Sequence, residues 1–510
     1  MTSTVEGNKL TRRAAMLALA KGLAFALAFP LPLVLVRGLS QTDFGVYKQF
    51  SQVMLTMLGL LSLHVGWTAF FFFPRYPDKK PQIVMNVMAF YLALGLPVAL
   101  LFAVYPRVVT LVFKSDALVP FVPLLGFAIL FWLVSAFLET VTVADRDTRT
   151  ASVFIVALQL IKSALLMVSA VVFAELGAVL WAVVIHAGLQ CVALFWYLRR
   201  RYGSFWRAFD WPLLKSQLAN ALPFGVGGIV YATQVDLHNY FVGHYFEPAE
   251  FAIYAVGCFQ LPVLTLLLES VSSVLMPEVA RLQVEGDRTA IVSLWAAAVR
   301  KLALFFVPAC AFLFVMRHEF IVALFTKAYE GAVPVFSVSL AGILLTMALT
   351  NPMLRSFDQF RYFRLKLYAV LLPLTCAALY AGIHLAGMLG AIIAVVAIQS
   401  LDLTITVSVI GRHLGVPARE LRRLSPILRV AGAAGVAALA SFAVRPAFAS
   451  LRPLVSLAAG AAIFGLVYLA VALATGAINA SERVALIEFY RSGARRLGFS
   501  PATKSPVIES

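Results

Sequence analysis

Lys21, Lys48 and Lys162 place cations inside long apolar runs of this sequence, and Glu139, Asp236, Glu269 and Asp402 place carboxylates there. A charge at the centre of a membrane helix costs about 2.5–3.5 kcal/mol on insertion scales, so such groups face a cavity, a partner or the membrane surface. The three lysines fall in the first half of the chain and suit binding of an anionic ligand, whose hydration they would replace. The acids Asp236, Glu269 and Asp402 suit coupling, by taking up a proton or a cation. Lys48 and Glu139 lie near enough to the ends of their runs to snorkel. Lys162 and Asp236 are too deep for that, which favours a cavity. His238, two residues from Asp236, points to a different helix face.

Other chemistries find little support. Asp145-Arg146-Asp147 has the DxD form that holds a metal–nucleotide in glycosyltransferases, but its loop is a few residues long with no nucleotide-binding domain around it; a solvated loop is expected. Cys191, Cys258, Cys310 and Cys376 are far apart, with no metal-ligand spacing, and read as small packing residues. No GxxxxGK[ST] loop occurs, so neither ATP hydrolysis nor a cofactor is expected, and the chain does not read as an enzyme.

Composition decides what must position these charges. Of 510 residues 62% are apolar and 13% charged, with a mean hydropathy of +0.91. Soluble domains carry roughly 25% charge, so an all-α polytopic membrane protein is expected. About fourteen apolar runs have bilayer-spanning length: 14–36, 44–63, 83–104, 118–141, 152–173, 177–197, 218–242, 251–275, 302–315, 333–354, 367–383, 387–410, 427–444 and 454–475. The first is too long for the apolar core of a cleavable signal peptide. The net charge of +17 does not indicate nucleic acid, because the basic residues sit in short loops. With the N-terminus cytoplasmic, 31 of the 41 Lys and Arg fall in cytoplasmic segments and 7 in external loops. That bias follows the positive-inside rule and makes both termini cytoplasmic. Asn479-Ala480-Ser481 fits a glycosylation sequon but would lie in the cytoplasm, so it reads as accidental.

A repeat underlies the runs. Asp43-Phe44-Gly45-Val46-Tyr47 opens the second and Glu250-Phe251-Ala252-Ile253-Tyr254 the eighth, 207 positions later. Ala117-Leu118-Val119-Pro120 opens the fourth and Gly331-Ala332-Val333-Pro334 the tenth, 214 positions later. An offset of six helices makes the repeat parallel. The expected organisation is a cytoplasmic N-terminus (1–13), an N-lobe of six helices (14–198), a basic linker (199–216), a C-lobe of six helices (217–411), two appended helices (412–475) and a cytoplasmic tail (476–510). Pro30, Pro32, Pro97, Pro262, Pro308 and Pro373 free backbone carbonyls within spans and are hinge candidates. The Phe70–Phe73 run after Trp67 reads as an interfacial aromatic anchor.

Three stretches carry a specific resemblance. LVRGLSQTDFGVYKQF (35–50), PFGVGGIVYATQVDLHNYFVGHYFEPAEFAIYAVG (223–257), in which Asp236 takes the usual acidic place, and VLMPE (274–278) resemble the bacterial polysaccharide transporters, the Wzx-type O-antigen and exopolysaccharide flippases. The similarity spans about residues 10–475 and extends to a superfamily that includes multidrug antiporters and lipid II flippases. It implies an inner-membrane protein moving undecaprenyl-diphosphate-linked oligosaccharide to the periplasmic leaflet by alternating access, for cell-surface polysaccharide biosynthesis. The implied partners are that lipid-linked glycan, the bilayer, and a polysaccharide polymerase or assembly machinery. A cation-coupled multidrug exporter is the second expectation and a membrane glycosyltransferase, disfavoured by the short external loops, the third.

Overall fold

The computed structural model describes residues 2–360, 362–415, 425–448 and 450–478. The expected tail beyond 478, Asn479 included, lies outside the described residues. Among these residues the regular structure is helical, with no strand. The α-helices are α1 (Thr2–Ala28), α2 (Leu31–Gly38), α3 (Gln41–Ser62), α4 (Thr68–Arg75), α5 (Lys80–Val104), α6 (Val122–Ser135), α7 (Phe137–Ala144), α8 (Thr148–Val168) and α9 (Leu176–Tyr202). There follow α10 (Trp211–Tyr245), α11 (Pro248–Gly257), α12 (Pro262–Glu285), α13 (Arg288–Val315), α14 (Arg317–Phe325), α15 (Val333–Thr346), α16 (Thr350–Arg355), α17 (Phe363–Leu414), α18 (Ser425–Val444) and α19 (Pro453–Ala474).

Among the described residues, 11 helices are long and apolar enough to cross a membrane, or 12 with a pair bent by 51° between Ser62 and Val65. Two features separate this number from about fourteen. The 52-residue α17 has non-helical backbone at Ala386 and Gly387, which divides it into two lengths each able to span. At 35 residues α10 is long enough, but Gln234, Asp236, His238 and Asn239 dilute its apolar run. The ninth span is longer than expected. Helix α13 continues through Arg300 and Lys301, the pair at which the apolar run was ended.

Helix breaks only partly follow the prolines. Pro30 caps α2 after a two-residue break, and Pro262 opens α12, but Pro97, Pro308 and Pro373 lie inside helices. The sharp bend after α3 has no proline and uses left-handed backbone at Leu63 and His64 instead (φ 42° and 58°). Beyond it, α4 carries the phenylalanine run with Phe72 and Phe73 buried and Phe70 and Phe71 exposed. The run is thus half core and half surface rather than an interfacial anchor throughout.

Two compact units divide the chain. The first comprises Met1–Phe259, Ile321–Gly342 and Gln359–Asp402. In it α1 packs on α8, α5 on α6, α6 on α9 and α3 on α11. The last contact joins the two copies of the repeated motif. Gly45 lies so close to the Pro248 backbone that a Cβ there would overlap it. The same end is tied by Arg37, which donates to the Leu324 and Ala323 carbonyls at 2.6 and 2.8 Å, and by Lys114–Glu247 at 3.3 Å. Gln41 also donates to the Ala328 carbonyl. In the second unit, α12 packs on α13, and α13 and α19 on α18. Arg445 bonds Glu319 at 2.7 Å, and the Tyr468 hydroxyl donates to the Leu304 carbonyl at 3.1 Å.

Candidate functional site

Four helical segments of the first unit enclose a cavity of about 190 Å³, lined from α1 (Ala24), α6–α7 (Trp132, Leu138, Glu139), α8 (Ala151 to Lys162) and α9 (His186, Gln190). Glu139 lies three residues past Ala136, where α6 gives way to α7. There it meets Lys21, with Nζ 2.7 Å from Oε1 and the two side chains 56% and 49% exposed. Lys162 lies 14 residues into α8, about 20 Å from its start at 1.5 Å per residue. Its Nζ stands 4.6 Å from the centroid of the Trp132 ring, a cation–π contact. No carboxylate among the described residues pairs with it. His186, 3% exposed, donates from Nε2 to the Leu158 carbonyl at 3.2 Å. Because a carbonyl only accepts, Nδ1 carries the lone pair, and it has no partner. Gln159 donates to Ser163 at 3.0 Å, and Ser163 to the Leu27 carbonyl at 2.9 Å, which fixes α8 against α1.

A second, smaller cavity of about 70 Å³ lies in the same unit between α10 and both parts of α17. Its lining includes Gln234, His238, Tyr368, Thr375, Gln399 and Asp402. Gln234 donates to Thr375 at 2.6 Å, and His238 Nδ1 lies 2.8 Å from the Tyr254 hydroxyl. Part of the lining recurs along the chain. Ile155, Leu158, Lys162 and His186 line the first; Tyr368, Leu371, Thr375 and Gln399, each 213 positions later, line the second. Lys162 and Glu139 bring charge of both signs to the first cavity, whereas Asp402 is the acid in the lining of the second.

Of the residues singled out from sequence, Glu139 and Lys162 line the first cavity, Lys21 reaches its edge through the ion pair with Glu139, and Asp402 lines the second. Lys48 is not brought to either. It sits two turns into α3, its Nζ 5.5 Å from the Phe44 ring centroid. Asp236 lies beside Gln52 of α3 rather than in the second cavity, while His238 lines that cavity, as their two-residue spacing requires. Gln52 in turn accepts from Asn239 at 3.3 Å. Glu269 is exposed on α12 in the second unit.

Sequence reasoning missed the neutral liners His186, Gln159, Gln234 and Gln399. It also missed Arg364, which stacks on Tyr231 and Tyr368 (5.6 and 5.2 Å) and donates from Nε to the Tyr368 hydroxyl at 2.8 Å. Polar residues recurring at the repeat offset were the signal available for the liners. The DxD string needs correction. The Asp145 side chain is fully buried between Lys80 (2.6 Å) and Arg201 (2.5 Å), and Asp147 caps α8 through the Thr150 amide at 3.2 Å. Both carboxylates do structural work, and the loop is not simply solvated.

Comparison with known proteins bears on the whole chain. A family model described as polysaccharide biosynthesis protein matches residues 34–334. No curated protein matches the sequence. Among solved structures, the lipid II flippase MurJ in an inward closed conformation superposes with a TM-score of 0.65 at 12% identity, covering 91% of this chain and 99% of that one. A multidrug resistance MATE family transporter of the MOP superfamily, inward-facing, gives 0.61 at 15% identity over 76% of this chain and 94% of its own. A MOP superfamily transporter from Pyrococcus furiosus, whose binding pocket is described as reversed in polarity, gives 0.54 at 10% identity over 79% and 95%. At such identities the likeness is one of fold.

Proposed function

The chain belongs to the polysaccharide biosynthesis protein family, and from that premise we propose that it is a flippase for polyprenyl-diphosphate-linked oligosaccharide. It would carry the glycan from the cytoplasmic to the periplasmic leaflet of the bacterial inner membrane by alternating access, with both termini cytoplasmic. The observation that carries this reading is the first cavity, lined by Lys162 and by Glu139, whose carboxylate pairs with Lys21, all on helices of membrane-spanning length. A diphosphate can leave water only where cations replace its hydration. The glycan would follow through a wet path, while the polyprenyl tail stays in lipid. The fold shared with a lipid II flippase supports the same reading.

A multidrug exporter for cationic compounds would favour unneutralised acids in the cavity. Here Glu139 is neutralised by Lys21, and Lys162 leaves an excess of positive charge. Coupling to a proton or cation is assigned to Asp236, Glu269 and Asp402, and a polymerase or assembly machinery would receive the product. Complementation tests the proposal. The gene should restore surface glycan in a flippase-deficient strain; resistance to cationic dyes without restored glycan would favour the exporter.

A further inference from the structure

Glu139 occupies the very cation that an anionic cargo needs. We propose that Glu139 is a displaceable internal counter-ion, which holds Lys21 while the cavity is empty and yields it to the entering diphosphate. The inference rests on the flippase reading above and adds the residue that sets how tightly the cargo is held.

The pair is built to exchange. It is a single contact at 2.7 Å between side chains that are each about half exposed. Ion pairs of that kind are worth about 0.2–1 kcal/mol, little enough for a dianion to displace one partner. The drive to do so stands deeper in the same cavity. Lys162 is held over Trp132 without a carboxylate, so the empty cavity keeps a net positive charge. Once an oxyanion bridges Lys21 and Lys162, Glu139 is left beside a like charge and turns toward its exposed side.

The cavity also indicates what accompanies the anion. His186 is buried, and the lone pair on Nδ1 accepts nothing. A bare phosphate oxygen would be repelled there, whereas a hydroxyl would donate. An oxyanion with a neighbouring hydroxyl, such as a sugar attached through a diphosphate, satisfies both ends. At about 190 Å³ the space is below the ~300–1,000 Å³ of drug-sized sites, so it suits this headgroup and not an oligosaccharide.

A lysine at the Lys162 position is not needed to build a cavity of this kind. Among the liners related by 213 positions, Lys162 corresponds to Thr375. Among the described residues, the second cavity has no lysine or arginine in its lining and carries an acid of its own, Asp402.

The test is calorimetric titration of the full-length chain in detergent with a farnesyl-diphosphate-linked monosaccharide and, separately, with inorganic pyrophosphate. Glu139→Gln should tighten both by about fivefold, the factor set by losing a competitor worth up to ~1 kcal/mol. In a Lys21→Ala background the same change should have less than a twofold effect. Glu139→Asp, which keeps the charge but shortens the reach, should tighten binding less than Glu139→Gln and serves if the glutamine variant is unstable. Unchanged or weaker binding by well-folded Glu139→Gln would overturn the proposal, as would a gain confined to the sugar-linked probe. If the wild type binds neither probe, the flippase reading itself fails, and the inference with it.

Discussion

Lys21 and Lys48 are both intramembrane lysines of the first two spans, yet their surroundings separate them. Lys21 is at the cavity and Lys48 is over Phe44. Lys21→Ala should therefore strongly reduce glycan export in the complementation assay at near-normal protein abundance. Lys21→Arg should keep much of the activity, because a long cation still reaches phosphate oxygens. Lys48→Ala should be milder, and equal loss from both would contradict the difference in placement. Asp145 makes a stability prediction instead. Buried between Lys80 and Arg201, it loses its charge in Asp145→Asn, which should cost about 1.5–3 kcal/mol, the range for hydrogen bonds to charged groups. Thermal unfolding in detergent would read this as a lower midpoint, and an unchanged midpoint would refute it. Charged residues at the cavity were legible in the sequence because a charge in an apolar run is expensive. Their pairing was not, since Lys21 and Glu139 are on different spans. Gln159, Gln234 and Gln399 cost less to bury and gave no such signal, and the DxD spacing could not distinguish a buried clamp from a wet loop.

Among the helices, the repeated motif has a packing meaning that spacing alone did not show. Its two copies lie on α3 and α11 and face each other, with Gly45 against the Pro248 backbone. Backbone cannot yield as a side chain does, and overpacking typically costs about 1–3 kcal/mol. Gly45→Ala should separate α3 from α11. With cysteines at positions 41 and 328, a short bifunctional thiol reagent should cross-link the otherwise native chain efficiently and the Gly45→Ala background poorly. Equal cross-linking would mean the contact tolerates a methyl group. The order of spans was legible from apolar length. The breaks at Leu63–His64 and Ala386–Gly387 were not, because both depend on unusual backbone torsions, and neither site is marked by a proline. The ninth span was read too short because Arg300 and Lys301 resemble a loop in sequence, whereas a long helix can carry such side chains at one end.

At the scale of the whole molecule, we propose from the charge bias that both termini are cytoplasmic. Reporter fusions after Tyr202 and Arg364 should then report cytoplasm, and one after Pro248 periplasm; a periplasmic signal at Tyr202 would break the parallel six-helix repeat. Four pairs of cavity liners 213 positions apart fit the proposed repeat, and our reading assigns the anion to the first cavity, which Lys162 lines. The most direct test of that assignment is the rate at which a fluorescent polyprenyl-diphosphate-linked oligosaccharide crosses the bilayer of proteoliposomes containing the purified chain. The wild type should move it far faster than protein-free vesicles, and a Lys21→Ala, Lys162→Ala double variant should be slower by at least about tenfold, equivalent to ~1.4 kcal/mol. Transport by the double variant at the wild-type rate, or a wild-type rate no faster than protein-free vesicles, would contradict the account.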